Sequence, residues 1–418
     1  MPPPYHHHPA ARRSARHYAV DAVFALIFAT LAATYAAAAQ RAMDPRFFAI
    51  PAGNDIWFEG DLPMVADTIL HRWTTHPRDA KHPLFPLLTT LPSNALRAIG
   101  LTERYRLLAI TALAAAVWGG AVYLLLRLST PSRLAAVVFA ALTHVTAGAV
   151  FWLPTTETWV LGSFSLIAPL ILVAVARRAD VRDGWYVAAS ALSLSVTVSN
   201  WLSGIIAAVS MRPTRRAVQI TANALALVVV LWGVQKSIVP RSSFFVDTIE
   251  RSKFMFSPEA GGPGPIARAI VFHSIVMPHV AVVPELKWGS RMSVQRAGLG
   301  SSGTIGAMAT LLWTILLGAG ARALWIGRRS PQSRALALVT LAQAAVYLCY
   351  GEETFLFALQ IAPLLMACAA AATWTPHRQW VTALGIVLAV LLALNNLPAF
   401  ASATRFFAPS SDSVAGPR

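Results

Sequence analysis

The sequence predicts an all-α, polytopic transmembrane protein with about eleven helical crossings. Three observations carry that expectation. Hydrophobic residues make up 56% of the 418 and charged residues 12%, with a mean hydropathy of +0.56, which leaves too little polar surface for a soluble fold of this length. Apolar runs long enough to cross a bilayer recur along the chain. The basic residues behind a net charge of +16 sit in short clusters between those runs, as cytoplasmic loops require, and not on a single face that would bind nucleic acid. Cys349 and Cys368 both lie inside apolar runs, without the spacing of a disulfide or a metal site.

Residues 1–17 read as a cytoplasmic tail, with His6, His7 and His8 in a solvated stretch. Arg12, Arg13 and Arg16 precede the first apolar run at 18–39, which is longer than a signal-peptide core. It reads as an uncleaved anchor, although Ala37-Ala38-Ala39 resembles a cleavage site. The first outer loop covers about 41–104. Its segment 82–100 contains Pro83, Pro86, Pro92, Asn94 and Arg97 and would leave backbone groups unpaired in lipid, so it should dip into the membrane or lie on its surface.

Crossings follow at 105–126, 133–151 and 157–176. Residues 185–211 should turn back at Ser199-Asn200-Trp201 as two half-length helices, because Ser and Asn supply local backbone hydrogen bonds. The rival topology, with 82–100 crossing and 185–211 as one helix, places five arginines outside. The run 217–239 then leads outward to a second outer loop at 240–303, with Asp247, Glu250, Glu259, Glu285 and a Gly-Gly-Pro-Gly-Pro stretch. Its apolar middle, 266–283, should lie along the interface. Crossings at 304–320, 335–350, 354–373 and 379–398 flank a basic inner loop at 322–334, giving one transmembrane domain over 18–407 and a disordered tail at 408–418.

This topology gathers acidic groups at the outer face: Glu59 and Asp61 after the first helix, Glu157 in a Pro-Thr-Thr-Glu-Thr turn, and Glu352 and Glu353 in a Tyr-Gly-Glu-Glu-Thr turn. A carboxylate at the hydrocarbon edge is expensive to desolvate, so it faces a cavity or a cation. Each also has a plainer role available. Asp61 suits a helix N-cap before Leu62-Pro63, Thr155/Thr156-Glu157 suits a capped helix start, and Glu352 and Glu353 suit a solvated turn. His76-Pro77 and His82-Pro83 suit extended chain breakers.

Over roughly its first 210 residues the chain resembles the GT-C glycosyltransferases, in particular the protein O-mannosyltransferase and aminoarabinose-transferase branch. The residues that carry the resemblance are Glu59-Gly60-Asp61, a helical stretch at 64–72, and His82-Pro83-Leu84-Phe85-Pro86. It departs from that pattern at Leu84, where a second proline is common, and at Leu62, where a second acidic residue often follows. The resemblance implies a GT-C-like fold with interfacial helices in the first outer loop. It also implies transfer of a hexosyl or pentosyl unit from a polyprenyl-phosphate donor to an acceptor hydroxyl at the outer face of a bacterial inner membrane. Asp61 would be the general base, with Glu59 as the alternative.

Such a reaction needs a group to take the acceptor's proton and others to stabilise the departing phosphate. Lys81, His82, Arg104 and Arg106 are the cationic candidates for the second task, with Glu157, Glu352 and Glu353 beside them. Arg104 and Arg106 also suit interfacial anchoring. Some relatives use a divalent cation, but no ligand set in the sequence compels one. Two other functions fit the composition: a transporter or flippase of a lipid-linked or anionic solute, and a noncatalytic envelope-assembly protein whose 240–303 loop binds a partner.

Overall fold

The computed structural model describes residues 15–50, 54–74, 81–243, 255–285 and 289–407. The expected tails up to residue 14 and from 408, together with His76-Pro77, Asp247 and Glu250, lie outside the described residues.

Helix dominates. In chain order the α-helices are α1 (Ala15–Ala42), α2 (Leu62–Leu70), α3 (Phe85–Ala98), α4 (Glu103–Ser129), α5 (Arg133–His144), α6 (Ala147–Trp152), α7 (Trp159–Ala176) and α8 (Asp183–Val196). They continue as α9 (Trp201–Met211), α10 (Thr214–Ile238), α11 (Pro263–Arg268), α12 (Thr304–Ile326), α13 (Pro331–Cys349), α14 (Ala358–Ala370) and α15 (Arg378–Ala403). Among the described residues, seven stretches are long and apolar enough to cross a membrane: α1, α4, α7, α10, α12, α15 and the run Thr354–Trp374 around α14. The chain is an integral membrane protein with an all-α transmembrane fold.

Every expected crossing has a helical counterpart, and those that fall short have visible reasons. The segment 133–151 breaks at Val145-Thr146, where the Thr146 hydroxyl accepts from Ala149 N (3.3 Å) and starts α6. Residues 185–211 form the expected hairpin of α8 and α9. Arg212 binds Asp183 (2.7 Å) at its base, Trp201 Nε1 donates to Ser190 Oγ (3.0 Å) near its tip, and the turn lies at Val198–Asn200. The rows sit so close that a Cβ on Gly204 would stand 2.5 Å from the Ser190 Cα. α3 has 14 residues, about 21 Å, which is too short to span hydrocarbon about 30 Å thick. It docks on α2 through Thr90 Oγ1, which donates to Thr68 O (2.8 Å).

One expectation needs correction. The apolar stretch 266–283 does not lie along a surface over its length: the part to about Met277 turns inward, and His279 to Val283 are exposed or half-buried. Ile266, Ile270, Ile275, Val276 and Met277 are buried within the bundle. Gly148 N and Ala147 N donate to Ser274 O and Ile275 O (2.9 Å each), and Asn396 Oδ1 accepts from Met277 N (2.9 Å). Irregular backbone at this depth is tolerated because protein groups, not lipid, satisfy it. The chain then forms an antiparallel ribbon of β1 (Ala281–Glu285) and β2 (Gly289–Ser293).

The basic loops converge at one end of the bundle. Asp21 binds Arg127 (3.0 Å) and Arg133 (2.8 Å), Arg178 donates to Leu128 O (2.8 Å), and Arg177 reaches Gln332 (2.6 Å), which in turn reaches Ser129 (3.0 Å). The helices that start or finish there carry the chain to the opposite end, where the acidic segments meet.

Candidate active site

The first outer loop is folded around a buried apolar block, Ile56-Trp57-Phe58, flanked by acids. Trp57 and Phe58 are fully buried against Phe151 and Phe355, with Trp57 Nε1 donating to Phe151 O (3.3 Å). With those rings anchored inward, Asp55 and Glu59 are carried into a cavity of about 390 Å³. The tight path places Asp55, Phe58 and Glu59 at positive φ (59°, 51° and 60°), a left-handed conformation that non-glycine residues rarely adopt. Strain of this kind persists only where surrounding contacts over-determine it, and it concentrates at functional sites. Gly60 is required next, since a Cβ there would lie 2.7 Å from Leu62 Cδ1 and 2.9 Å from Trp57 O.

The other walls come from far along the chain. Leu84 N donates to Ser195 O (2.8 Å) and Val198 N donates to Lys81 O (3.1 Å), so the His-Pro element docks on the tip of the α8–α9 hairpin. Gln235 of α10 secures the same element, donating to Pro83 O and accepting from Leu87 N (2.9 Å each). His82 Nδ1 lies 2.7 Å from Val196 O. A carbonyl only accepts, so Nδ1 carries a proton and donates it. Lys81 and His82 both line the cavity, as do Trp159, Tyr347, Tyr350 and Glu352.

Arg291, on β2, completes the charged mouth. Its guanidinium pairs with Glu59 and lies 3.5 Å from Glu352, and the side chains of Arg291 and Glu59 are only 16% and 15% exposed. Met292 N donates to Ile56 O (2.9 Å), which fixes β2 to the first loop. Carboxylates from two distant segments thus face Lys81, His82 and Arg291 across one cavity, at the end of the bundle away from the basic loops.

The remaining expected site residues lie elsewhere. Asp61 is 1% exposed at the N-cap of α2; its side chain makes no capping hydrogen bond, and it does not line the cavity. Glu157 accepts from Asp61 N and from Thr158 N (3.1 Å), clamping the first loop to the start of α7. Glu353 is buried and accepts from Ser293 Oγ (2.5 Å), Val294 N (3.2 Å) and Gln295 N (3.3 Å), while its own N–H donates to Glu59 (3.1 Å). Burial pushes its carboxyl above the usual carboxylate range, against the pull of those hydrogen bonds. Arg106 is buried away from the cavity, donating to Leu70 O (3.4 Å) and Ser93 Oγ (3.3 Å) and pairing with Glu103 (3.5 Å), and Arg104 is exposed. Among the described residues no group of three or more His, Cys, Asp and Glu is placed to hold a metal ion.

Sequence reasoning missed Asp55 and Arg291. Asp55 could have been found from the pattern Asp55-Ile56-Trp57-Phe58-Glu59, in which two acids four positions apart flank an apolar block. Arg291 had a weaker signal, the alternation Arg291-Met292-Ser293-Val294 inside a loop read as irregular.

No protein-family model matches the chain, and no curated protein matches it. Among solved structures, the fold is similar to the crystal structure of the Archaeoglobus fulgidus oligosaccharyltransferase in its apo form, with a TM-score of 0.48 and 14% sequence identity over 91% of this chain and 56% of that one. The chain therefore spans a little more than half the length of that protein.

Proposed function

We propose that the chain is a membrane-embedded glycosyltransferase of GT-C type that moves a hexosyl or pentosyl unit from a polyprenyl-phosphate donor to an acceptor hydroxyl. The single observation that supports this is the meeting of Asp55, Glu59 and Glu352 with Lys81, His82 and Arg291 in one cavity, at the end of a transmembrane bundle opposite its basic loops. The charge asymmetry supports an outer-face site with a cytoplasmic N-terminus in a bacterial inner membrane.

In this proposal the base is Glu59, because Asp61 does not line the cavity. Glu59 takes the proton of the acceptor hydroxyl as the oxygen attacks the anomeric carbon from the face opposite the phosphate. The carbon–oxygen bond to phosphate breaks, its electron pair leaves with the phosphate, and the anomeric configuration inverts. Arg291 and Lys81 hold the departing phosphate, the guanidinium in two-pronged fashion, in place of Arg104 and Arg106. As donor phosphate engages Arg291, Glu59 is released from its ion pair to act as base.

The test is transfer of labelled sugar by the protein in nanodiscs. Glu59→Gln should reduce the rate by about a thousandfold while Asp61→Asn keeps most of it. The reverse result on folded proteins would return the base to Asp61. Donor-dependent product from none of the proteins, wild type included, would overturn the function.

A further inference from the structure

Just below the cavity the bundle buries three amide side chains that the proposed reaction does not use. Gln360 on α14 lines the cavity yet is 1% exposed, and Gln343 on α13 and Asn200 at the hairpin tip are fully buried. Each has one polar atom engaged. Gln360 Oε1 accepts from the Tyr347 hydroxyl (2.7 Å), Asn200 Nδ2 donates to Gly162 O (2.9 Å) and Ser165 Oγ (3.0 Å), and Gln343 Nε2 donates to Ser199 O (3.4 Å). That leaves Gln360 Nε2, Gln343 Oε1 and Asn200 Oδ1 with no hydrogen-bond partner among the described residues. Buried polar atoms are nearly always satisfied, so three open ones on neighbouring elements mark a place that a polar ligand completes.

Their positions connect them to the cavity. Gln343 sits one helical turn below Val346 and Tyr347, Gln360 one turn below Leu356 and Phe357, and Asn200 next to Ser199, all of which line it. Gly162 lets the Gln360 amide pack against α7, for a Cβ there would stand 2.7 Å from Gln360 Nε2 and 3.6 Å from Asn200 Nδ2. Along one side runs an aromatic wall. Tyr347 stacks on Phe357 at 4.4 Å and 3°, and Phe357 meets Trp159 edge-on at 5.4 Å. The charged residues of the cavity come from the loops and the ribbon at its mouth, whereas Gln343 and Gln360 lie within helices.

An aromatic face beside uncharged donors and acceptors suits a neutral polyhydroxylated ring, with its C–H face on the wall and its hydroxyls on the amides. We infer that Gln360 is the subsite residue for the neutral sugar ring of the donor, its Nε2 donating the hydrogen bond that sets specificity, with Gln343 and Asn200 forming the buried polar layer behind it. The inference rests on the glycosyl-transfer proposal and names the substrate chemistry of the same cavity. Tyr347 belongs to the wall and also orients the Gln360 amide through its hydroxyl.

The test compares binding of two lipids to the full chain in nanodiscs: a polyprenyl phosphate, and the same lipid carrying a neutral hexose or pentose. The wild type should bind the sugar-bearing lipid about tenfold more tightly than the bare one. Gln360→Leu, close in size but without the amide, should lose that preference while binding bare polyprenyl phosphate as the wild type does, which also reports that it is folded. Tyr347→Phe should reduce the preference by about threefold, and it serves as the second variant if Gln360→Leu does not fold. Full preference retained in the folded variants overturns the subsite while leaving glycosyl transfer standing. Binding of neither lipid by the wild type overturns the glycosyl-transfer proposal and the subsite with it.

Discussion

Arg291 and Glu59 form an ion pair across the mouth of the cavity and join the two outer loops of the chain. Both side chains are largely removed from solvent, so neither is easily relieved by water if the other is lost. Arg291→Ala should lower stability by about 2 kcal/mol, measured by denaturant unfolding in detergent, and should weaken polyprenyl-phosphate binding. Arg291→Lys keeps the charge without the planar fork and should fall between the two.

Glu157 serves two backbone N–H groups, those of Asp61 and Thr158. Glu157→Ala leaves both donors buried without that acceptor, at a cost of about 2–4 kcal/mol, and should loosen the first loop from α7. Glu157→Gln retains one acceptor oxygen and should recover part of the loss. Thermal unfolding followed by intrinsic tryptophan fluorescence distinguishes the two, because Trp57 and Trp159 flank the clamp.

Glu353 introduces a pH dependence whose sign follows from its raised pKa. In the folded protein the carboxyl holds its proton more tightly than in the unfolded chain, so the folded state binds more protons between the two pKa values. Its stabilising contribution is complete below the ordinary value of 4.5 and is lost as pH climbs through the raised folded value. Glu353→Gln should flatten that decline in a series of unfolding curves taken upward from pH 4.5. An unchanged slope would show that burial of this group does not govern it.

Gly204→Ala tests the hairpin that carries Thr197 to Asn200 to the cavity. The added methyl meets the Ser190 backbone at 2.5 Å, so the two half-helices must move apart. The expected destabilisation is about 1–3 kcal/mol. Loss of protection at the hairpin tip in hydrogen exchange should exceed that at α4.

Much of the fold was legible because bilayer thickness and charge placement restrict a chain as apolar as this one. The early return at Ser199-Asn200 was readable from the need to keep Arg212, Arg215 and Arg216 beside the other basic loops. The 266–283 stretch was misread because its apolarity says only that it avoids water, and it avoids water inside the protein instead of at the membrane surface. In the site, Glu59, Lys81, His82 and Glu352 were expected and reach the cavity. Arg106 was also a candidate, but a cation two residues from Arg104 is aimed by helix phase, which turns Arg106 towards Ser93 and Leu70. Long-range pairings such as Arg291 with Glu59 leave almost no local trace, since they depend on which loop a ribbon meets after folding.

The buried irregular stretch at Ser274–Met277 bears on how the protein is made. Its polar backbone is held by Ala147 and Gly148 near the middle of the chain and by Asn395 and Asn396 in α15. A growing polypeptide therefore cannot complete this passage until α15 has been synthesised and inserted. The ribbon bearing Arg291 follows directly on this passage, so the wall it gives the cavity is secured only once α15 is in place.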